Sequence, residues 1–265
     1  MRGITRDCLV EFVDHKSLWI FVAVVLFGVF VVIVTGNIEA HFQVQSSDMV
    51  DLGEIDKAFG NPVLRGYNSF IGLVVFLTVM ASAGLFPHML ERGRADFYFS
   101  KPLTRTFLLM NKFFGIWLVY GAAVVASGLV IYLAIGLVHG VFDLSLLYLL
   151  LTSLVSLFIW LSITCCFGIL SGSNAVAIMA AFIIWAAQKV LAAREVIKTF
   201  LDSRAADLVL DSFYYVLPKT SAVSDLFVAL VSGREVIDWM PLWSSLLSAA
   251  VMLYIAVRLL KRKDF

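Results

Sequence analysis

The side chains best equipped for chemistry cluster between positions 91 and 112, where Glu91, Arg92, Arg94, Asp96, Lys101, Arg105 and Lys112 surround the aromatic run Phe97-Tyr98-Phe99. Their chemistry is recognition. Mixed charges flanking three rings suit burial against lipid headgroups or a partner protein, because aromatic residues and arginine are enriched where surfaces meet. Pro102 ends any helix that precedes it, since proline disfavours helical geometry in the residue before it. Catalysis has no comparable cluster. His15, His41, His88 and His139 stand far apart, and each suits an interfacial setting better than a ligand set, so no catalytic or metal site is expected. A Gly-x-x-x-x-Gly-Lys-Ser/Thr run is missing, so this chain carries no phosphate-cradling loop and no cofactor of its own.

The elements that position this segment are hydrophobic. Residues 144–188 contain no charged side chain and are interrupted only by Leu170-Ser171-Gly172-Ser173-Asn174, which is the pattern of two membrane helices and a tight connection. Hydrophobic residues make up 61% of the chain and charged residues 15%, against roughly 25% charged in soluble domains, so soluble enzyme classes drop out. The net charge of +1 says nothing about nucleic acid, because in a membrane protein what matters is where the charges lie along the chain; no nucleic-acid partner is expected. Cys8, Cys165 and Cys166 offer no spaced pairs for a disulfide framework and are expected to be reduced and structural.

The charge-free runs predict an all-α integral membrane protein with six transmembrane helices over 17–36, 67–90, 113–137, 144–170, 174–193 and 240–257. Lysine and arginine resist translocation, and they concentrate in the N-terminal tail, in 91–112 and in the C-terminal tail (Arg258, Lys261, Arg262, Lys263). The loop after helix one carries Glu39, Asp48, Asp51, Glu54 and Asp56 against Lys57 and Arg65, as an exterior loop should. Both termini are therefore placed in the cytoplasm. The first span has a longer apolar core than a signal peptide and no small-residue cleavage site after it, so it is kept as a membrane helix.

Three further elements are expected outside the spans. Ile4, Cys8, Leu9, Phe12 and Val13 share one helical face, so 1–16 reads as an interfacial helix. The 194–239 segment reads as an exterior helical loop, with an amphipathic stretch over 190–211 and a short helix over 221–232. Within the spans the only polar side chains are mild, Thr78, Ser82, Ser127, Thr152, Ser153, Ser156, Ser162, Thr164 and Gln188 among them. Packing is the first role of such groups and a substrate path the second. An intramembrane surface this apolar suits lipid-like, peptide or amphipathic cargo, and the absence of Asp, Glu, Lys or Arg from the charge-free runs that define the spans argues against proton coupling.

Glu91-x-Gly93, then Ser100-Lys101-Pro102-Leu103-Thr104-Arg105, then Lys112 opening a hydrophobic helix, resembles the cytoplasmic loop of ABC-2-type transporter permeases. Leu170-Ser171 with Asn174-Ala175, and Leu217-Pro218 with Asp225-Leu226 and Gly233, extend the similarity over nearly the whole chain. The resemblance implies a permease in the bacterial inner membrane that pairs with a second permease copy or a homologue. It also implies separate ATPase subunits holding ATP and Mg. Under it, 91–112 is the coupling element that rests on the ATPase, with Glu91, Arg92, Gly93, Asp96, Phe97, Pro102 and Arg105 as its contact residues, and 1–16 is the interfacial elbow. The aromatic run at 97–99 departs from the more aliphatic loop usual in that family. A second reading from a different class is a non-transporting scaffold, anchored by its helices and recruiting a cytoplasmic partner through 91–112.

Overall fold

The computed structural model describes Val10, Phe12, Trp19, Phe142 and residues 22–34, 62–91, 104–139, 144–192, 217–231 and 238–263, and among these there is helix but no strand. In chain order the helices are α1 (Val22–Val34), α2 (Pro62–Ser82), α3 (Leu85–His88), α4 (Arg105–His139), a 3-10 turn (Leu144–Leu147), α5 (Tyr148–Ser171), α6 (Asn174–Ala192), α7 (Thr220–Val231) and α8 (Met240–Arg262). Four segments are long and apolar enough to cross a bilayer: Gly66–His88, Arg105–Val138, Tyr148–Ser171 and Met240–Arg262. Val22–Val34, Asn174–Gln188 and Thr220–Val231 are shorter apolar helices. An all-helical chain satisfies its backbone polar groups within each segment, which lipid requires.

α5 is the centre of the bundle and packs against α2, α3, α4, α6, α7 and α8. Its sequence is apolar on every side, so it has no solvent face to present and is surrounded instead. Leu149, Leu157, Ile159, Leu161 and Ile163 are buried within it. The outer helices do the opposite and turn Leu118, Leu133, Phe182, Trp243 and Leu247 outward, an apolar exterior that acyl chains would cover. Cys165 and Cys166 are buried free thiols on α5.

Small residues set how closely the helices approach. A methyl group at Gly128 of α4 would collide with Leu150 of α5, whose side chain takes that space, and beside it the Tyr67 hydroxyl donates to the Gly128 carbonyl at 3.2 Å. Gly172 ends α5 in the left-handed region at φ 68°, with its N–H on the Gly168 carbonyl at 2.9 Å, and lets α6 fold back as an antiparallel neighbour. Most intramembrane hydroxyls bond back to their own helix: Thr78 to the Val74 carbonyl, Ser82 to Thr78, Ser127 to Ala123, and Ser162 to Phe158.

Two helices differ from the sequence expectation. The segment expected as one helix over 67–90 is interrupted at Ala83-Gly84, between α2 and α3. The reason is Pro87, which has no N–H to give to the carbonyl four residues earlier and whose ring crowds that carbonyl, Ala83's. The helix expected from 113 begins at Arg105, about two turns earlier. Thr104 accounts for the earlier start, because its Oγ1 accepts from the Phe107 N–H at 3.3 Å as an N-cap. Of the interfacial segment 1–16, Val10 and Phe12 are described, and the Phe12 ring meets Tyr120 of α4 edge-on at 5.0 Å. The amphipathic stretch over 190–211 lies outside the described residues beyond Ala192.

Candidate functional site

Alternating helices give the bundle two ends. One, here the proximal end, gathers α3, the start of α4, the α5–α6 turn and the end of α8. Phe86 of α3 stacks near Phe113 of α4 at 6.3 Å, and Gly168 of α5 and Asn174 of α6 lie beside Pro87 and Gly84. The other, the distal end, gathers the starts of α2, α5 and α8, the end of α6, and α7.

At the proximal end the residues expected to contact a partner are divided. Glu91 is exposed just after α3, with Oε1 3.3 Å from His88 Nδ1. Arg105 occupies the first turn of α4, where a cation opposes the helix dipole. Its placement is explained by α8: Nη1 donates to the carbonyls of Leu260, at 3.3 Å, and Lys263, the last acceptors of that helix. Arg105 thus caps a second helix with its charge and ties the end of the 91–112 segment to the end of the chain. Arg92, Gly93, Asp96, Phe97 and Pro102 lie outside the described residues. Lys112, expected at the mouth of a helix, is instead inside α4 and buried.

At the distal end, α7 is built into the bundle and packs on α5, α8 and α2. Three polar contacts hold it. The Lys219 N–H donates to Ser245 Oγ at 2.8 Å, Thr220 Oγ1 donates to Gln188 Oε1 at 2.7 Å, and Ser224 Oγ donates to Asn68 Oδ1 at 2.9 Å. Lys219 is itself buried, with Nζ donating to Ser244 Oγ at 2.9 Å. Beneath α7 lies a cavity of about 300 Å³ between α2, α5, α6 and α7. Its upper wall is polar, with Asn68, Gln188, Thr220 and Ser224, and its depth is apolar, with Val75 and Val79. Trp160 and Trp185 contribute two indole rings.

By sequence, Thr152, Ser153, Ser156 and Gln188 have packing as their first role and a substrate path as their second. The structure brings all four to this one cavity, and the signal that could have joined them was the row Thr220, Ser221, Ser224 on the short helix opposite. Among the described residues no group of three or more His, Cys, Asp or Glu side chains is placed to hold a metal.

The cavity has room for a ligand, and at the proximal end Arg105 joins the start of α4 to the end of α8. A family model described as ABC-2 family transporter protein matches residues 9–265. No curated protein matches the chain.

Proposed function

This chain belongs to the ABC-2 family of transporter proteins and is a membrane-embedded permease component of an ABC transporter, and we propose that it serves as the six-span membrane subunit of an exporter for lipid-like, peptide or otherwise amphipathic cargo. In this reading α1 and α6 join the four longer apolar segments as spans, and the proximal end, with both termini, faces the cytoplasm of a bacterial cell. A separate ATPase, holding ATP and Mg, docks on 91–112, and a second copy or homologue completes the permease.

The observation that best supports this division of labour is Arg105. It sits where the 91–112 segment becomes α4, and it is hydrogen-bonded to the end of α8. A push on that segment would reach one helix through its backbone and a second through a guanidinium, which is the lever that coupling needs. α4 then carries the displacement over 35 residues to the distal end without an interruption.

The test uses the native complex with Glu91→Ala and Arg105→Ala. ATP turnover responsive to cargo in the wild type and unresponsive in the variants, with the ATPase still bound, supports the reading. Turnover and its response to cargo unchanged in both variants would remove the proximal end from the coupling path.

A further inference from the structure

We propose that the distal cavity is a binding site, complete within one copy of this chain, for the uncharged hydroxyl- or carbonyl-bearing head of an amphipathic molecule. Two residues of its wall each carry a buried polar atom with no hydrogen-bond partner within the protein, Thr152 Oγ1 and Gln188 Nε2, which a modest side-chain rotation would turn toward a bound molecule. Both residues are more than nine-tenths buried, Thr152 at 4% exposure and Gln188 at 6%. Burying such groups unpaired is unfavourable, so native structures pair nearly all of them.

Thr152 is the more telling. Thr78, Ser127, Ser162 and Thr164 each return their hydroxyl to a carbonyl of their own helix, whereas Thr152 does not. Gln188 is held from one side only: its Oε1 accepts from Thr220, which points the amide and leaves Nε2 as a donor seeking an acceptor. A hydroxyl or carbonyl oxygen bound here would accept from Gln188, and Thr152 would donate to it or accept from it.

The rest of the lining sets the class of ligand. Asp225 is the one charged residue among the described lining residues, so an anionic head is disfavoured. Asp225 is also already engaged in an interaction within the protein, so it does not call for a cation. An uncharged head fits both facts. The two indole rings and the apolar depth offer surfaces for an alkyl chain. At the roughly 30 Å³ that one water occupies, the cavity holds about ten waters' volume, enough for a glycerol-sized head and the first part of a chain. Assigning the bound molecule as cargo rests on the permease reading; the binding itself does not.

The test needs this chain alone, in phosphatidylcholine nanodiscs, with a monoacylglycerol that carries a photoreactive diazirine on its chain. Adducts are mapped by mass spectrometry. Labelling of the cavity wall is expected, saturable and competed by unlabelled monoacylglycerol. Thr152→Val leaves the fold intact, because the hydroxyl bonds nothing in the protein, and is expected to lower apparent affinity roughly fivefold. Gly72→Leu is expected to abolish labelling. Gly72 is an exposed lining residue where a Cβ meets open space, so a leucine is accommodated without a clash and narrows the cavity mouth while α2 keeps its helical form.

Absent cavity labelling, equal labelling in both variants, or equal or stronger labelling by chain-matched probes with a phosphate or a trimethylammonium head would overturn the proposal. Any of those results would leave the ATPase-coupled reading standing, since no ATPase is present. Loss of ATPase coupling in the native complex would in turn leave cavity labelling unaffected.

Discussion

Replacing Arg105 by alanine removes two charge-assisted donations to the carbonyls of Leu260 and Lys263 at the end of α8. A cation at a helix C-terminus contributes about 0.3–1 kcal/mol when exposed and up to about 2 kcal/mol when partly buried. A hydrogen bond from a charged donor contributes about 1.5–3 kcal/mol. The two figures describe one contact and do not add. With Arg105 half-buried and the Leu260 bond long at 3.3 Å, the expected loss is about 1.5 kcal/mol. That loss is local, because it loosens the last turn of α8 first. The Lys263 N–H, bonded to the Leu259 carbonyl at 3.2 Å, then opens more often. Hydrogen exchange of residues 260–263 should accelerate about tenfold, the factor that roughly 1.4 kcal/mol corresponds to. The α5–α6 turn should be unchanged. Arg105→Lys should recover part of the effect, since an ammonium supplies charge but not the planar fork. Exchange at 260–263 that is identical in wild type and Arg105→Ala would refute the capping argument, and with it the link between the 91–112 segment and α8.

Three further outcomes follow from single contacts. Thr104→Ala removes the α4 N-cap and should cost about 1 kcal/mol, read as a lower midpoint in thermal unfolding in detergent, with Thr104→Ser close to wild type. Gly172→Ala places a Cβ at φ 68° and should cost about 1 kcal/mol by the same assay, while Gly172→Asn should cost less. Ser245→Ala deprives the buried Lys219 N–H of its acceptor; it should cost about 2 kcal/mol and speed hydrogen exchange across α7 selectively.

The helical class was legible because membrane helices announce themselves by length and apolarity, and charge-free 144–188 shows it most plainly. The turn at Gly172 was legible for the same reason, as a polar interruption with glycine at its centre. Helix starts and breaks were harder. Arg105 and Lys112 lie in the first turns of α4, so a reading keyed to charge-free runs begins that helix at 113 and misses the signal Thr104 gives as a cap. The break at Ala83-Gly84 comes from Pro87 three and four residues on, within an apolar run that looks continuous.

The distal cavity was the least legible feature. Thr152 and Gln188 are separated from Ser224 and Asn68 by long stretches of chain, and no period relates them. Their association depends on α7 docking into the bundle through buried Val223 and Leu226 and three polar contacts, and the sequence does not say which helices that face meets. Buried Lys219 was hidden in the same way: in sequence it is one more basic residue of a long exterior segment, yet its Nζ donates to Ser244 Oγ in the first turns of α8. Of the residues expected to contact a partner, Glu91 and Arg105 have a described setting, and their role in coupling rests on the proposal above.

The proposed coupling depends on this permease working with a separate ATPase. The most direct measurement is native mass spectrometry of the chain extracted from its own membranes in mild detergent. The expected result is a complex that contains a nucleotide-binding ATPase subunit, lost when residues 92–103 are replaced by a glycine-serine linker of equal length. Isolation of the chain without any ATPase, under conditions that keep its thermal unfolding midpoint unchanged, would contradict it.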